Sequence, residues 1–145
     1  MGQPHVHHIR VRYGECDPQG IVFNAHYLAY FDMAITELWR AAFGSYQVMI
    51  DRGVDIVVAE ARVRFRAAAH FDELLALEIG VTRLGNTSIS TAHRVMRDGE
   101  LLAEGELHHV FVDLPGLQKI SIPDWIRQPL EAYAIDADES VVAGT

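Results

Sequence analysis

The chain has 145 residues, half of them hydrophobic, which fits one globular domain rather than a disordered segment. Its formal net charge of −8 argues against a nucleic-acid partner, because such partners require a basic surface. No apolar run approaches the roughly 20 residues of a membrane-spanning helix, and residues 1–8 lack the apolar core of an export signal. With its single cysteine, Cys16, the chain is predicted to be a cytoplasmic protein of one domain, residues 1–145.

The first predicted elements are a strand and a tight turn. Residues 8–13 alternate apolar and polar side chains, which is typical of a half-buried strand. The sequence Asp17-Pro18-Gln19-Gly20 then favours a type I turn, with Asp at its first position and Pro at its second. The simpler interpretation of Asp17 is a turn-former that hydrogen-bonds its own backbone. The alternative is a carboxylate held in place for chemistry.

A long amphipathic helix is predicted directly after this turn. Asn24 is a good N-cap residue, and apolar residues continue at helical spacing to Ala42, before a stop at Gly44. Ser45 can cap a short second helix that reaches about residue 52. The turn would then place a carboxylate beside the unpaired N–H groups of a helix start. Such an arrangement can attack and polarise an ester or thioester carbonyl.

The second half of the chain predicts an antiparallel sheet. Alternation that begins at Val54 changes parity near Ala59, which predicts a β-bulge. Further alternating runs follow at residues 75–81, 89–96 and 101–112.

Turn and helix signals complete the pattern. Gly85-Asn86 predicts a turn, and Asp98-Gly99 predicts a type I′ hairpin. Residues 123–133 predict a short helix that begins at a proline. The acidic tail from about residue 135 is expected to fray.

Residues 9–32 carry a family resemblance. The sequence Tyr-Gly-Glu-Cys-Asp-Pro-Gln-Gly-Ile-Val from Tyr13 onward, followed by Tyr27 and the Phe31-Asp32 pair, resembles the hot-dog-fold acyl-CoA thioesterases, most of all the 4-hydroxybenzoyl-CoA thioesterase-like family. The resemblance implies an α+β hot-dog fold, in which an antiparallel sheet of five to six strands wraps around one long central helix. It also implies homodimers that pair through their sheets, with active sites at the interface, and dimers of dimers as a further level of assembly.

The resemblance also implies the chemistry. Asp17 would hydrolyse an acyl-CoA with an aromatic or short-to-medium acyl group, acting as nucleophile or as general base toward water. A backbone N–H group at Asn24 would polarise the carbonyl, and Gly20 would let the backbone pass close to the substrate. The other predicted substrate-binding residues are Phe23, His26, Tyr27 and Asp32 around the acyl group, Glu60 at the bulge, and Arg83 and Thr87 near the nucleotide. No cofactor is expected beyond the CoA of the substrate.

Several alternatives stay open at this level. Arg62, Arg64 and Arg66 share one strand face and can also bind phosphate. The thiol can be CoA or a carrier protein. A hot-dog dehydratase of 3-hydroxyacyl thioesters would need a histidine with a nearby acid, and a non-catalytic module would only bind the thioester. The eight histidines show no metal-binding spacing, so no metal site is predicted.

Overall fold

The structure, a computed structural model, describes residues 2–136 and contains an antiparallel five-stranded sheet with three helices. In chain order the elements are β1 (His5–Arg10), α1 (His26–Phe43), α2 (Tyr46–Asp51), β2 (Val54–Phe65), β3 (Leu74–Leu84), β4 (Ser88–Arg97), β5 (Glu100–Asp113) and α3 (Asp124–Leu130). The strands lie in the order β1-β3-β4-β5-β2, and all neighbours are antiparallel. The predicted antiparallel sheet of five to six strands is therefore confirmed.

Helix α1 is the longest helix of the described residues, and it packs one face against the sheet. The Phe31 ring stacks on His93 of β4, with ring centroids 4.5 Å apart, and Trp39 meets the Phe111 ring of β5 edge-on at 6.5 Å. Gly105 of β5 makes this approach possible, because a Cβ atom there would lie 2.7 Å from the Phe31 ring. The apolar stripe predicted for α1 is therefore the buried face of the helix, and it packs at a defined position on the sheet.

The beginning of α1 differs from the prediction. The helix starts at His26 with Ala25 at the N-cap, and the predicted cap at Asn24 is wrong. The carbonyl oxygens of Phe23 and Asn24 accept the N–H groups of His26 (2.9 Å) and Tyr27 (3.2 Å) in a tight turn. Backbone groups therefore replace a side-chain cap here.

The first strand is also shifted relative to the prediction. Strand β1 ends at Arg10, and Tyr13–Glu15 forms a 3₁₀ turn rather than the end of a strand. The Arg12 N–H donates to the Glu15 carboxylate at 2.8 Å, which turns the chain away from the extended conformation. The alternation of apolar and polar residues in the sequence gives no information about this local hydrogen bond.

Other local predictions are confirmed. The register of β2 against β5 shifts between Val58 and Glu60, which is the predicted bulge. Asp98 and Gly99 have φ angles of 48° and 83°, as a type I′ turn requires. Ser45 caps α2 by accepting the Val48 N–H at 3.3 Å.

The C-terminal end is tied to the sheet as far as the structure describes it. The Ile135 N–H donates to the Val81 carbonyl at 2.9 Å. Residues 137–145, where most of the predicted fraying falls, lie outside the described residues. Across residues 2–136, no helix is long and apolar enough to cross a membrane, and no group of three or more His, Cys, Asp or Glu side chains is placed to hold a metal ion.

Candidate active site

Asp17 lies in a turn that its backbone fixes. The Asp17 N–H donates to the Ile21 carbonyl, and the Gly20 N–H donates to the Asp17 carbonyl, both at 2.9 Å. Gly20 has a φ of +80°, which residues with a side chain rarely adopt. Cys16 and Val22 then form an antiparallel bridge. These contacts close the turn predicted from the sequence and hold the Asp17 side chain at its tip.

The Asp17 carboxylate itself is half-buried and partly engaged. Its Oδ1 accepts the Gln19 N–H at 2.8 Å, so the residue does form the simple turn contact. Its Oδ2 has no hydrogen-bond partner among residues 2–136. One oxygen therefore orients the carboxylate, and the other is free for a ligand.

Glu15 fastens this turn to helix α1. Its Oε1 accepts the Tyr30 hydroxyl at 2.9 Å as well as the Arg12 N–H, and its carbonyl accepts the Phe23 N–H at 2.9 Å. Burial, together with the hydrogen bond to Glu15, raises the pKa of Tyr30, so its hydroxyl remains a donor. The position of Asp17 relative to α1 is therefore set by a buried tyrosine from the helix itself.

A cleft of about 440 Å³ opens beside Asp17. Its walls come from the turn, from the start of α1 and from the segment that follows β2. The lining residues are Asp17, Gln19, Ile21, Val22, Asn24, Tyr27, Phe65, Arg66, Ala67 and Ala68. Mostly apolar walls with a few polar groups are typical of small-molecule sites of this volume.

Unpaired backbone N–H groups stand at the α1 side of this cleft. Within the described part of the chain, the amides of Asn24 and Ala25 have no hydrogen-bond acceptor, whereas those of His26 and Tyr27 are paired. A helix start also carries partial positive charge. Asn24 lines the same cleft as Asp17, so the residue that carries one of these unpaired amides and the carboxylate residue border one space.

The third wall of the cleft, residues 65–68, was not predicted from the sequence. Phe65, Ala67 and Ala68 carry no sequence signal of a site, and they reach the cleft only because the chain after β2 runs past the turn. The Val22 N–H donates to the Ala69 carbonyl at 2.9 Å, and Arg97 donates to the Ala68 carbonyl at 3.0 Å. These long-range bonds bring the segment to the cleft.

Arg66 is the basic residue of this wall. Its guanidinium donates twice to Glu104 Oε2, at 2.7 and 3.0 Å. Of the three arginines noted on this strand face, Arg66 alone lines the cleft beside Asp17, while Arg62 lies 3.9 Å from Glu106. Its ion pair with a buried carboxylate holds the cationic group at the rim.

Three of the predicted site residues, Asp17, Asn24 and Tyr27, share the cleft. Burial raises the pKa of Tyr27, so its hydroxyl stays protonated. Phe23 and His26 flank the cleft on the helix side, with their rings edge-to-face at 6.4 Å. Their contacts with a substrate stay predictions.

Four predicted substrate-binding residues lie elsewhere in the chain. Asp32 lines a separate cavity of about 230 Å³. Glu60 lies 3.6 Å from His108. Arg83 and Thr87 stand at the β3–β4 turn, at the far end of a strand whose length is roughly 35 Å. None of the four is among the residues that line the Asp17 cleft.

One of two buried histidines lines the separate cavity. His109 is one of its lining residues, and His93 lies under Phe31. Burial lowers the pKa of His93 to about 3 and the pKa of His109 to about 4. In both cases a neighbouring histidine adds to the effect, so both rings are neutral in the folded protein near neutral pH.

The class of this chain follows from its similarity to known proteins. The model of the thioesterase-like superfamily matches residues 11–130. The chain belongs to that superfamily, which confirms the resemblance seen in residues 9–32, and with it the prediction of a thioesterase enzyme.

Individual relatives agree with this class. The chain is 30% identical over 116 residues to the acyl-CoA thioester hydrolase YbgC of Escherichia coli O6:H1, a match that covers 79% of this chain and 87% of that protein. It is 27% identical over 135 residues to the 4-hydroxybenzoyl-CoA thioesterase of a Pseudomonas species, covering 81% and 92%. The crystal structure of a hypothetical protein from Thermus thermophilus superposes with a TM-score of 0.84 at 30% identity, covering 92% of this chain and all of that one.

Proposed function

We propose that this chain hydrolyses an acyl-CoA thioester to a free acid and CoA, with Asp17 as the reacting carboxylate. One observation carries the proposal: Asp17 and Asn24, whose amide has no acceptor among the described residues, line the same cleft. A reacting carbonyl between them would have an acid on its carbon and a donor on its oxygen. This is the geometry that acyl transfer requires.

The chemistry can follow either of two routes. In the first, a free Asp17 oxygen attacks the thioester carbon, the thiolate leaves, and water then hydrolyses the resulting anhydride. In the second, Asp17 takes a proton from water, and that water attacks the carbon. In both routes the α1 amide stabilises the negative oxygen that forms. The Gln19 N–H on the other carboxylate oxygen orients Asp17 for either role.

The acyl group is proposed to be aromatic or short-to-medium in length. Ile21, Val22 and Phe65 give the cleft an apolar surface, and its volume of about 440 Å³ suits a small group. The names of the relatives from Escherichia coli and Pseudomonas, which specify acyl-CoA and 4-hydroxybenzoyl-CoA, support this class of substrate.

The dehydratase alternative has less support. A hot-dog dehydratase would need a histidine beside the substrate, and none of the described histidines lines the Asp17 cleft. His108 does contact Glu106 at 3.1 Å, but that pair lies in β5 with Ser90 on its other side. The non-catalytic alternative is disfavoured because the chain belongs to a superfamily of thioesterases.

We also propose a homodimer that pairs through the free edge of β2, and a dimer of such dimers as a further level of assembly. The sheet order leaves β2 at one edge, where Val57, Val58 and Phe65 are exposed. Phe65 also lines the Asp17 cleft, so a partner on this edge would help to close it. In a hot-dog assembly, with α1 as the enclosed helix, the predicted contacts at Asp32, Glu60, Arg83 and Thr87 would then come from the partner.

The test is thioester hydrolysis with a matched pair of variants. Purified protein is incubated with a panel of acyl-CoA thioesters and a thiol reagent, which reports free CoA. Asp17→Asn should lower kcat by about 10³-fold while the protein stays folded. The control is Asp98→Asn in the exposed hairpin turn, where asparagine tolerates the positive φ of 48°. Wild-type hydrolysis by folded Asp17→Asn protein would overturn the assignment.

A further inference from the structure

A second cleft, also of about 440 Å³, is lined by Glu15 and is rich in basic side chains. It lies between the edge strand β1, the 3₁₀ turn and the outer side of α1. The lining residues that matter here are His7, His8, Arg10, Arg12, Glu15 and Met33. Four of these six are arginine or histidine, in a chain that has 12 Lys and Arg residues and a net charge of −8.

The two arginines of this cleft have no carboxylate partner. Among the described residues, neither Arg10 nor Arg12 forms a salt bridge, whereas Arg40, Arg66 and Arg97 each contact a glutamate. The Arg10 guanidinium donates to the Asp72 carbonyl at 2.6 Å, a contact that orients the group without neutralising it. Two guanidinium groups with uncompensated charge in one concave site can bind an anion.

The one acid of the cleft offsets only part of this positive charge, because a single carboxylate stands against two guanidinium groups. Glu15 directs Oε1 into the turn, where the oxygen accepts the Arg12 N–H at 2.8 Å and the Tyr30 hydroxyl at 2.9 Å. These neutral donors orient the carboxylate without neutralising it. The two histidines add ring N–H groups that can donate to further oxygens of an anion.

The candidate active site on the same turn favours one class of ligand for this cleft. Glu15 lines this basic cleft, and Asp17, two residues later on the same turn, lines the candidate active site. A ligand with its thioester at Asp17 and its charged end in the basic cleft would need several phosphate groups joined to the thiol by an extended arm. The nucleotide end of CoA has this chemistry.

We infer that the cleft formed by Arg10, Arg12, His7 and His8 binds the phosphate groups of CoA. The inference rests on the proposed hydrolysis of an acyl-CoA thioester. It adds the residues that would make CoA the preferred thiol of the substrate. It is an alternative to a nucleotide contact at Arg83 and Thr87, which the proposed dimer would supply from the partner. Arginines suit this role because their planar groups pair with phosphate through two parallel hydrogen bonds.

The kinetic test compares two substrates with the same acyl group. One is the acyl-CoA, and the other is its N-acetylcysteamine thioester, which lacks phosphate. Arg12→Gln and Arg10→Gln should each raise KM for the acyl-CoA roughly tenfold, leave kcat within about twofold, and leave the truncated substrate unchanged. The control Arg40→Gln removes an exposed arginine charge from α1 outside the cleft, and Arg83→Gln tests the competing location.

Salt provides a second readout. For the wild type, KM for the acyl-CoA should rise between about 20 mM and about 300 mM salt, and the double variant Arg10→Gln/Arg12→Gln should lose most of that rise. Unchanged KM in both arginine variants, an equal increase for both substrates, or an effect of Arg83→Gln alone would overturn the inference. If the arginine variants raised KM only for an acyl-carrier-protein substrate, the cleft would be a protein-binding surface and the inference would be overturned.

Direct binding separates this inference from the proposed reaction. Adenosine 3′,5′-bisphosphate, which is the nucleotide fragment of CoA, is titrated calorimetrically into wild-type, Arg12→Gln and Asp17→Asn protein. The inference expects binding to wild type and Asp17→Asn, and at least about tenfold weaker binding to Arg12→Gln. If no thioester is hydrolysed but this pattern holds, the proposed reaction fails and the phosphate site stands. Equal binding by all three proteins contradicts the phosphate site alone.

Discussion

Two cavities beside α1 are lined by aspartates: Asp17 lines the first, and Asp32 and Asp55 line the second. In the cleft at the helix start, Asp17 accepts one backbone N–H and keeps its other oxygen free of protein partners in the described residues. In the smaller cavity, Asp55 accepts both the Tyr46 hydroxyl at 2.6 Å and the Ile56 N–H at 2.8 Å on one oxygen. Asp17 shares its cleft with Asn24, whose amide has no acceptor among the described residues, whereas Asp55 is occupied by a side chain of its own protein.

The comparison shows that a carboxylate in a cavity is not sufficient evidence of a reactive site. What sets the Asp17 cleft apart is the start of α1, where the amides of Asn24 and Ala25 lack acceptors among the described residues. The smaller cavity has the buried ring of His109 instead. The first arrangement can stabilise a developing anion, and the second supports the fold.

The largest expected effect concerns the amide at the helix start. Asn24→Pro removes that N–H group and should lower kcat by about 10²- to 10³-fold, because one donor to the developing oxyanion is lost. The measurement is steady-state hydrolysis of the preferred acyl-CoA.

Two controls make this specific to one amide. Asn24→Ala keeps the N–H and should retain near wild-type kcat. Ala25→Pro removes the neighbouring N–H at a residue whose φ of −65° already suits proline. If Ala25→Pro is the variant that loses activity, the donor is Ala25 rather than Asn24, and the assignment must move by one residue.

The next effect is a loss of stability in acid, which comes from the buried histidines. Their folded pKa values of about 3 (His93) and about 4 (His109) lie below the ordinary value, so below about pH 6.5 the unfolded state binds more protons. Stability is therefore full above that pH and is lost as the pH falls toward the folded pKa values. Between about pH 7.5 and pH 5.5 the two rings should together remove roughly 2–3 kcal/mol of unfolding free energy.

Urea denaturation at the two pH values measures this loss. His109→Gln should remove about half of it, and the exposed His8→Gln should preserve it. An equal pH dependence in wild type and His109→Gln would mean that other groups control the acid response.

The smallest expected effects come from the same tyrosine-to-phenylalanine change made beside each of the two cavities. Tyr30→Phe deletes the hydroxyl that donates to Glu15, and Tyr46→Phe deletes the one that donates to Asp55. Each should lower the free energy of unfolding by about 1–2 kcal/mol, with the smaller loss at Tyr46, which is 38% exposed. Tyr30→Phe alone should also reduce kcat, by about fivefold, because the Asp17 turn loses its attachment to α1. Equal kcat in the two variants would show that this attachment does not position Asp17.

Much of the local structure could be predicted from the sequence. The hairpin at Asp98-Gly99, the Ser45 cap and the bulge after Val58 all follow from the backbone preferences of a few adjacent residues. The predicted N-cap at Asn24 failed because nearby carbonyls already paired the helix amides, a competition that depends on the path of the incoming chain.

The candidate site could be predicted only in part. Asp17, Asn24 and Tyr27 lie close in sequence and share the cleft, as their spacing suggested. The wall at residues 65–68 and the basic cleft at β1 carried no signal in the sequence. Each depends on contacts between distant segments, such as the Arg97 bond to Ala68.

The turn, its carboxylate and the amphipathic helix behind it could be predicted from the sequence, because these depend on φ preferences and side-chain spacing over a few residues. Which surfaces meet at that turn depends on the packing of the whole chain. The strand order places β1 and β2 at opposite edges of the sheet. Residues on the two sides of the Asp17 turn line different clefts: Glu15 lines the basic cleft, and Asn24 lines the candidate active site. Sheet register and chain closure are properties of the whole chain, and no local window of residues encodes them.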